Sequence, residues 1–456
     1  MHIAHSRTLL TTVVIAERQR AVRQATLTGP AHLLLLTLMA ISLAAPAAAQ
    51  ITIPGADGSD LPFTPTENTV VDLALADTAV WNDTNPNPGE GVYDPDKWAV
   101  VFRYTEVNIP GDVTVTFTNH PSRAPVVWLV SGSVTIDGTL DLSGANGHDG
   151  GAAAAPSEPG PGGFRGGRGS LSLGTSEGSG GYGPGGASYN INDATHHGSG
   201  GSYGSLGVVG GVGGGPVGPT YGNERILPLI GGSGGAGARI DGVGRGAGAG
   251  GGAILIAAAS VITVEGTIKA SGGGMGGGTG SYHGGCGSGG AIRLVCNNVL
   301  GTGLLHAEGG NFGNGGDGGD GRIRVESNDN QLSDPGSPAY TEDLPGDPAT
   351  LWPTDGPTIK ATTIFGQAVP ADPEARLEFP NSDVMLSNPL PDVLLLEAQN
   401  MPLDWIVTVR VTRKSGQDLT WPAEIIGGVP ELSTWQVPNL QLENGFSAIQ
   451  IRAEAP

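Results

Sequence analysis

Three observations in the sequence predict an all-β fold. Apolar residues alternate in short runs, a strand–glycine–strand unit recurs along the chain, and most of the 80 glycines fall between Gly144 and Gly321, around those units. Aligning "VTIDGTLDLSG" (134–144) with "ITVEGTIKASG" (262–272) puts Val134, Ile136, Leu140 and Leu142 on Ile262, Val264, Ile268 and Ala270. Asp137-Gly138 then falls on Glu265-Gly266. One such unit cannot bury its own apolar face, so the copies must stack. The predicted architecture is a parallel β-helix, a solenoid whose side chains alternate inward and outward and whose glycines permit the bend at each corner.

Residues 1–49 read as a signal peptide. Arg18, Arg20 and Arg23 precede an apolar run from Leu33 to Leu43, and "APAAAQ" offers small residues at Ala47 and Ala49 for cleavage before Gln50. That run is too short for an anchor. The expectation is a secreted or cell-surface protein whose mature chain does not insert in the membrane. The chain carries −21, and more after residue 49, because Arg7, Arg18, Arg20 and Arg23 against Glu17 lie before it. Such a charge repels nucleic acid and anionic lipid as partners.

Residues 50–326 hold the repeats. An upstream copy, "VNIPGDVTV", sets Val107, Ile109, Gly111, Val113 and Val115 in the same slots, and a worn copy keeps Val299, Gly303, Leu305, Ala307 and Gly309. A short strand precedes each: Ala99/Val101, Val126/Trp128, Ile254/Ile256 and Ile292/Leu294, with a fifth at Ile323/Val325. The 27-residue step from Val107 to Val134 is read as the bare coil, and the longer later steps as glycine-rich excursions from it. Two readings of the excursions stand. As flexible surface loop, the stretch of about 146–250 would be dispensable for folding. As packed polyglycine-II or polyproline-II-like strands, it would have three residues per turn and no side chain at the contact. Leu227, Leu229 and Ile230 speak for order, since a free loop does not need them.

Pro335, Pro338, Pro345 and Pro348 mark residues 327–357 as a linker. Within 358–456, strands are predicted at 393–398, 405–412, 423–426, 434–437 and 446–453, separated by short turns. That spacing predicts an immunoglobulin-like β-sandwich.

"IPGDVTVTF", "VTIDGTLDLSG", "PLIGGSGG" and "GGCGSGGAIRLV" together resemble secreted, glycine-rich bacterial proteins with pectin-lyase-like parallel β-helix repeats. The resemblance covers roughly residues 90–326. It implies the fold and export. That family has no established activity, so no catalytic residue is implied.

Glycine-rich sequence satisfies glycine motifs by chance. G-x-S-x-G occurs at 231–235 and 200–204, but without the strand-to-helix setting of a nucleophile elbow. No Walker lysine follows the glycine runs. "GNGGDGGDGRI" approaches a calcium-binding nonapeptide, making Asp317 and Asp320 candidate calcium ligands. Against them stand Arg322 in the apolar slot, the single copy, and the plainer reading of an acidic turn. His283 with Cys286, and the pair His196-His197, read as exposed loop residues, since no second ligand cluster of zinc type follows. Cys286 and Cys296 are the two cysteines, and one disulfide between them suits an oxidising compartment. No cofactor other than calcium is indicated.

The repeat register adds one more candidate. Outward residues of stacked copies superpose about 4.8 Å apart, giving one column of Asp137 and Glu265 and another of Asp141, Lys269 and His306. The plain reading is a solvated sheet face. The favoured function is a non-catalytic surface or matrix protein, adhesive or structural, whose partners are polysaccharide or cell-surface components. A carbohydrate-active lyase or hydrolase is the alternative, by fold analogy, since such sites pair carboxylates with a basic group that takes a proton. Ice or crystal-surface binding by flat glycine strands is a third.

Overall fold

The computed structural model describes residues 50–83, 85–149, 155–170, 177–193, 195–240, 243–276, 282–311, 316–353, 355–377, 381–387 and 391–456. The expected signal peptide lies outside the described residues, which belong to one compact unit. The fold is all-β: apart from a 3-10 turn at Leu73–Leu75, every regular element among them is a strand. No helix among them is long and apolar enough to cross a membrane.

Two sheets carry the repeats. In the larger, Ala99–Tyr104, Val126–Val130, Ala253–Val264, Ala291–Gly301, Arg322–Leu332 and Thr341–Asp343 pair in parallel in that order. Val107–Ile109 and Val134–Ile136 continue that ladder beside the end of Ala253–Val264. The smaller sheet runs Thr69–Asp72, Thr114–Thr118, Thr139–Asp141, Thr267–Lys269 and Leu304–His306, again all parallel. From Val126 onward the chain visits the larger sheet, then the smaller, then a glycine segment, and returns. Trp128, Ile136, Leu140, Ile256, Ile268 and Leu294 share one buried core. Each such side chain contributes about 1.5–3 kcal/mol by leaving water.

The repeat alignment holds in register for most copies. Ile262 pairs with Val134 and Val299, Val264 with Ile136, and Ile268 with Leu140 and Leu305. Two slots differ. Val115, not Val113, pairs with Leu140, because the Pro110–Asp112 turn makes that corner two residues longer. Val100 and Phe102, not Ala99 and Val101, pair with Val126 and Trp128. Alternation cannot mark the inner face there, because both faces are buried. Val100 and Phe102 join the inner core, while Ala99 and Val101 meet a second cluster with Trp81, Tyr203, Ile226 and Leu351.

Among the described residues the glycine tracts pack as ordered segments, which corrects the flexible-loop reading. From Gly246 to Ala253, successive N–H groups donate to three neighbouring segments in rotation. Gly246, Ala249 and Gly252 donate to His148, Ala145 and Leu142; Ala247, Gly250 and Ala253 to Gly167, Phe164 and Pro161; Gly248 and Gly251 to Gly285 and Ser288. Residues 285–290 repeat the scheme: Gly285 and Ser288 donate to Ala236 and Ser233, Cys286 and Gly289 to Gly316 and Gly319, Gly287 and Gly290 to Gly273 and Ala270. A three-residue period is the geometry of polyglycine-II-like packing. It demands glycine: a Cβ on Gly248, Gly251 or Gly287 would lie 1.9, 2.0 or 1.9 Å from a neighbouring carbonyl oxygen. Much of what is described of 146–250 is therefore part of the packed body. It also supplies Tyr203, Tyr221, Ile226 and Leu229, which cover the outer face of the larger sheet.

The stretch read as linker is partly sheet. Arg322–Leu332 runs through its start, Thr341–Asp343 adds a strand, and Ala349 and Leu351 are buried. Beyond it, all five predicted strands form, joined by Thr358–Ile364, Gln367–Ala368 and Leu419–Pro422. They make antiparallel sheets of five and three strands around a shared core of Leu394, Leu396, Val409, Val411, Trp435 and Val437. These sheets seat on the glycine strands through Arg410, which donates to Gly183 O and Ala187 O and pairs with buried Asp418.

Candidate functional site

The smaller sheet positions the column read from the repeats. Lys269 pairs in register with Asp141 on one side and His306 on the other, and an isolated bridge carries the line to Ser337. Their inward neighbours Leu140, Ile268 and Leu305 are buried, which forces the polar residues outward. Lys269 Nζ lies 3.9 Å from Asp141 Oδ2, and His306 Nδ1 lies 3.7 Å from Glu308 Oε2. Asp141 Oδ1 also accepts from Ser143 N at 2.8 Å. Beside this column, Thr114, Thr139 and Thr267 stand in register, forming a short hydroxyl line.

Asp137 and Glu265 occupy equivalent corners. Each follows its strand, Asp137 N donating to Ile109 O and Glu265 N to Ile136 O. Glu265 Oε2 accepts from Thr302 N at 3.1 Å and Thr302 Oγ1 at 2.7 Å, bonds that hold its carboxyl below the ordinary value. The arrangement is a polar face on which Lys269 stands between Asp141 and His306. Exposed pairs of this kind add little stability; they present charge and hydroxyls to a partner.

The other sequence candidates fall elsewhere. Asp317 and Asp320 turn their carbonyls to the 204–208 segment, accepting from Val208 N at 2.8 Å and from Gly204 N at 2.8 Å. Asp320 Oδ1 accepts from Gly309 N at 3.4 Å. Gly315 and the residues just before it lie outside the described residues. Among the described residues, no three His, Cys, Asp or Glu side chains gather as a metal group. Cys286 and Cys296 are free thiols, so the disulfide expectation is corrected. Cys286 lies among glycine strands with its N–H on Gly316 O, whereas Cys296 sits in the inner core between Ala258 and Ser327. Burial pushes the Cys286 thiol up to about 11 and the Cys296 thiol up to about 12. His196 and Cys286, read as exposed, are buried.

Sequence reading missed one polar constellation. His120 Nδ1 lies 2.8 Å from Ser122 Oγ, and Tyr93 stacks on the imidazole with ring centroids 4.0 Å apart. Tyr93 OH donates to Asp372 Oδ1 at 2.6 Å. Burial depresses the His120 imidazole, against the pull of Asp372 and Glu374, and raises the Tyr93 phenol. Arg123 and Arg165 donate to Glu374 O and Ala375 O beside it. The group fastens the 372–375 segment to the larger sheet. "NHPSR" was the visible signal, but nothing local connects it to Asp372.

Comparison with known proteins names no family. No protein-family model matches the chain, and searches of curated proteins and of solved structures find no significant match. Function therefore rests on the chain's own geometry.

Proposed function

We propose that the chain is an exported, non-catalytic surface or matrix protein: a parallel β-helix braced by packed glycine strands, carrying an immunoglobulin-like β-sandwich, and binding polysaccharide or cell-surface components along its outward columns. On this reading residues 1–49 are the removed signal peptide, and the likeness to glycine-rich bacterial proteins with pectin-lyase-like repeats is one of kind. The observation that carries it is the three-way backbone bonding of the glycine segments. Bodies held by backbone-to-backbone contact offer rigidity and shape rather than titratable groups. Rigidity suits the polar face, because a preordered surface loses little entropy when a partner binds. Asp141 and Lys269 contribute charge to that face and His306 an imidazole, with Asp137 and Glu265 at its corner.

Residues 50–456 would be incubated with acidic and neutral polysaccharides and with bacterial cells, with and without calcium. The expected result is retention without release of reducing ends, weakened several-fold by Lys269→Ala with His306→Ala. Product release that disappears in the double variant would replace this reading with a carbohydrate-active enzyme. Absence of both retention and release would sink it.

A further inference from the structure

An outer glycine segment, residues 204–214, carries an apolar ridge. Leu206, Val209 and Val212 stand at three-residue steps along it, and all three are exposed, as is Val208 beside them. The segment is fixed from within. Gly207 N and Gly210 N donate to Ser202 Oγ and Ser199 Oγ, each at 3.0 Å, and those hydroxyls donate on to Gly218 O and Gly215 O. Ser205 N and Val208 N donate to Asp320 O and Asp317 O, while Gly200 N and His197 N donate to Val208 O and Val212 O. Tyr203 anchors its start, buried with Val127 and Leu255 of the larger sheet. By contrast, the N–H groups of Leu206, Val209 and Val212 have no hydrogen-bond partner among the described residues.

Space sets the residue types. A Cβ on Gly207 or Gly210 would lie 2.4 or 2.7 Å from the carbonyl oxygens of Gly200 and Gly198, so the inward positions are bare and the large side chains fall on the open side. Charge is missing there as well. Between Asp193 and Glu224 the sequence has no Asp, Glu, Lys or Arg, in a chain with a net charge of −21. The exposed apolar run of the sandwich, Ile425, Ile426, Val429 and Leu432, instead has Glu424 and Glu431 within it. Two copies of an acidic chain repel at any face that carries its charge, and least at one that carries none. A basic partner finds no carboxylate on the ridge itself to pair with. The surface that matches the ridge in polarity and length is the ridge of another copy. It would also continue the existing packing, because the same segment already lies beside 198–202 and 317–320 through bonds at three-residue steps.

We propose that residues 206–212 are the contact through which two copies of this chain associate, antiparallel about a two-fold axis at Val209, with Leu206 of one copy against Val212 of the other. A two-fold contact brings the same patch together from both copies, so a ridge centred on Val209 is its own complement. Exposed apolar patches on an otherwise charged surface mark such contacts. Because the segment is already bonded to the body of the protein, little order is lost on pairing. The contact uses none of the outward columns, so association of copies and retention of polysaccharide can fail separately.

Sedimentation of residues 50–456 between about 1 μM and about 1 mM tests this. A monomer–dimer equilibrium is expected, and it should tighten as salt is raised, since salt screens the repulsion between two acidic chains and leaves apolar contact intact. Val209→Asp and Val209→Lys should each weaken the dimer tenfold or more, because the axis sets like charge on like charge. An equimolar mixture of the two variants should recover it as a mixed pair. Ile426→Asp, in the exposed run of the sandwich, should leave it unchanged. Monomer throughout the range, whatever else the ridge then binds, would overturn the proposal. So would a dimer that Ile426→Asp dissolves and the Val209 variants do not, or a mixture no tighter than either variant alone. If the Val209 variants do not fold, the wild type decides: a dimer that loosens as salt is raised is held by charge and refutes the ridge, whereas one that tightens supports it.

Discussion

A Cβ placed on Gly290 would lie 1.8 Å from the carbonyl oxygen of Gly252. Neither side of that contact can yield, because Gly290 N donates to Ala270 O and Gly252 O accepts from Ala291 N. Gly290→Ala should therefore cost about 3 kcal/mol or more, the upper range for overpacking. Gly427→Ala is the reference, since nothing lies within 4 Å of its Cβ position; its effect should stay within about 0.5 kcal/mol. Denaturant titration of both variants measures the difference, and equal midpoints would refute the close packing.

Register is tested at adjacent residues. Val264 is fully buried and pairs with Ile136, while Thr263 is partly exposed and pairs with Thr135. Val264→Asp leaves a buried charge without a partner and should cost several kcal/mol. Thr263→Asp should cost about 0.5 kcal/mol or less. Similar losses from the two would mean that the face assignment is wrong.

Replacing 146–250 by a short Gly/Ser linker should abolish cooperative unfolding. Removal takes away the acceptors of Gly285, Ser288 and Gly319 and uncovers the outer cluster around Leu255 and Val295. Circular dichroism followed through thermal unfolding decides it. A sharp transition in the shortened chain would restore the dispensable-loop reading.

Neither cysteine should react in the native protein. Both thiols are buried and held protonated well above neutral pH, and the thiolate is the nucleophile. Alkylation followed by mass measurement should find no adduct on the native chain and two after denaturation without reductant. Absence of adducts after denaturation would instead reveal a Cys286–Cys296 bridge.

What the sequence determined by itself was the set of stacking units and most of their register. Strands that bury one face write it as alternation, so Val134, Ile136 and Leu140 could be laid on Ile262, Val264 and Ile268, and the outward line of Asp141, Lys269 and His306 followed from the same count. Where both faces are buried, as at Ala99–Tyr104, alternation carries no orientation, and the slip at Val100 and Phe102 could be found only from the pairing.

Tertiary structure alone decided the fate of the glycine segments. Composition says that glycine is present but not which carbonyl it approaches: Gly287 meets Ala249 and Gly290 meets Gly252 across large sequence separations, through backbone groups that every residue shares. The burial of His196 and the fastening of Tyr93 to Asp372 are hidden for the same reason. Side-chain periodicity records which face of a strand is buried, whereas partners joined by backbone bonds or distant single contacts leave no local pattern in the chain.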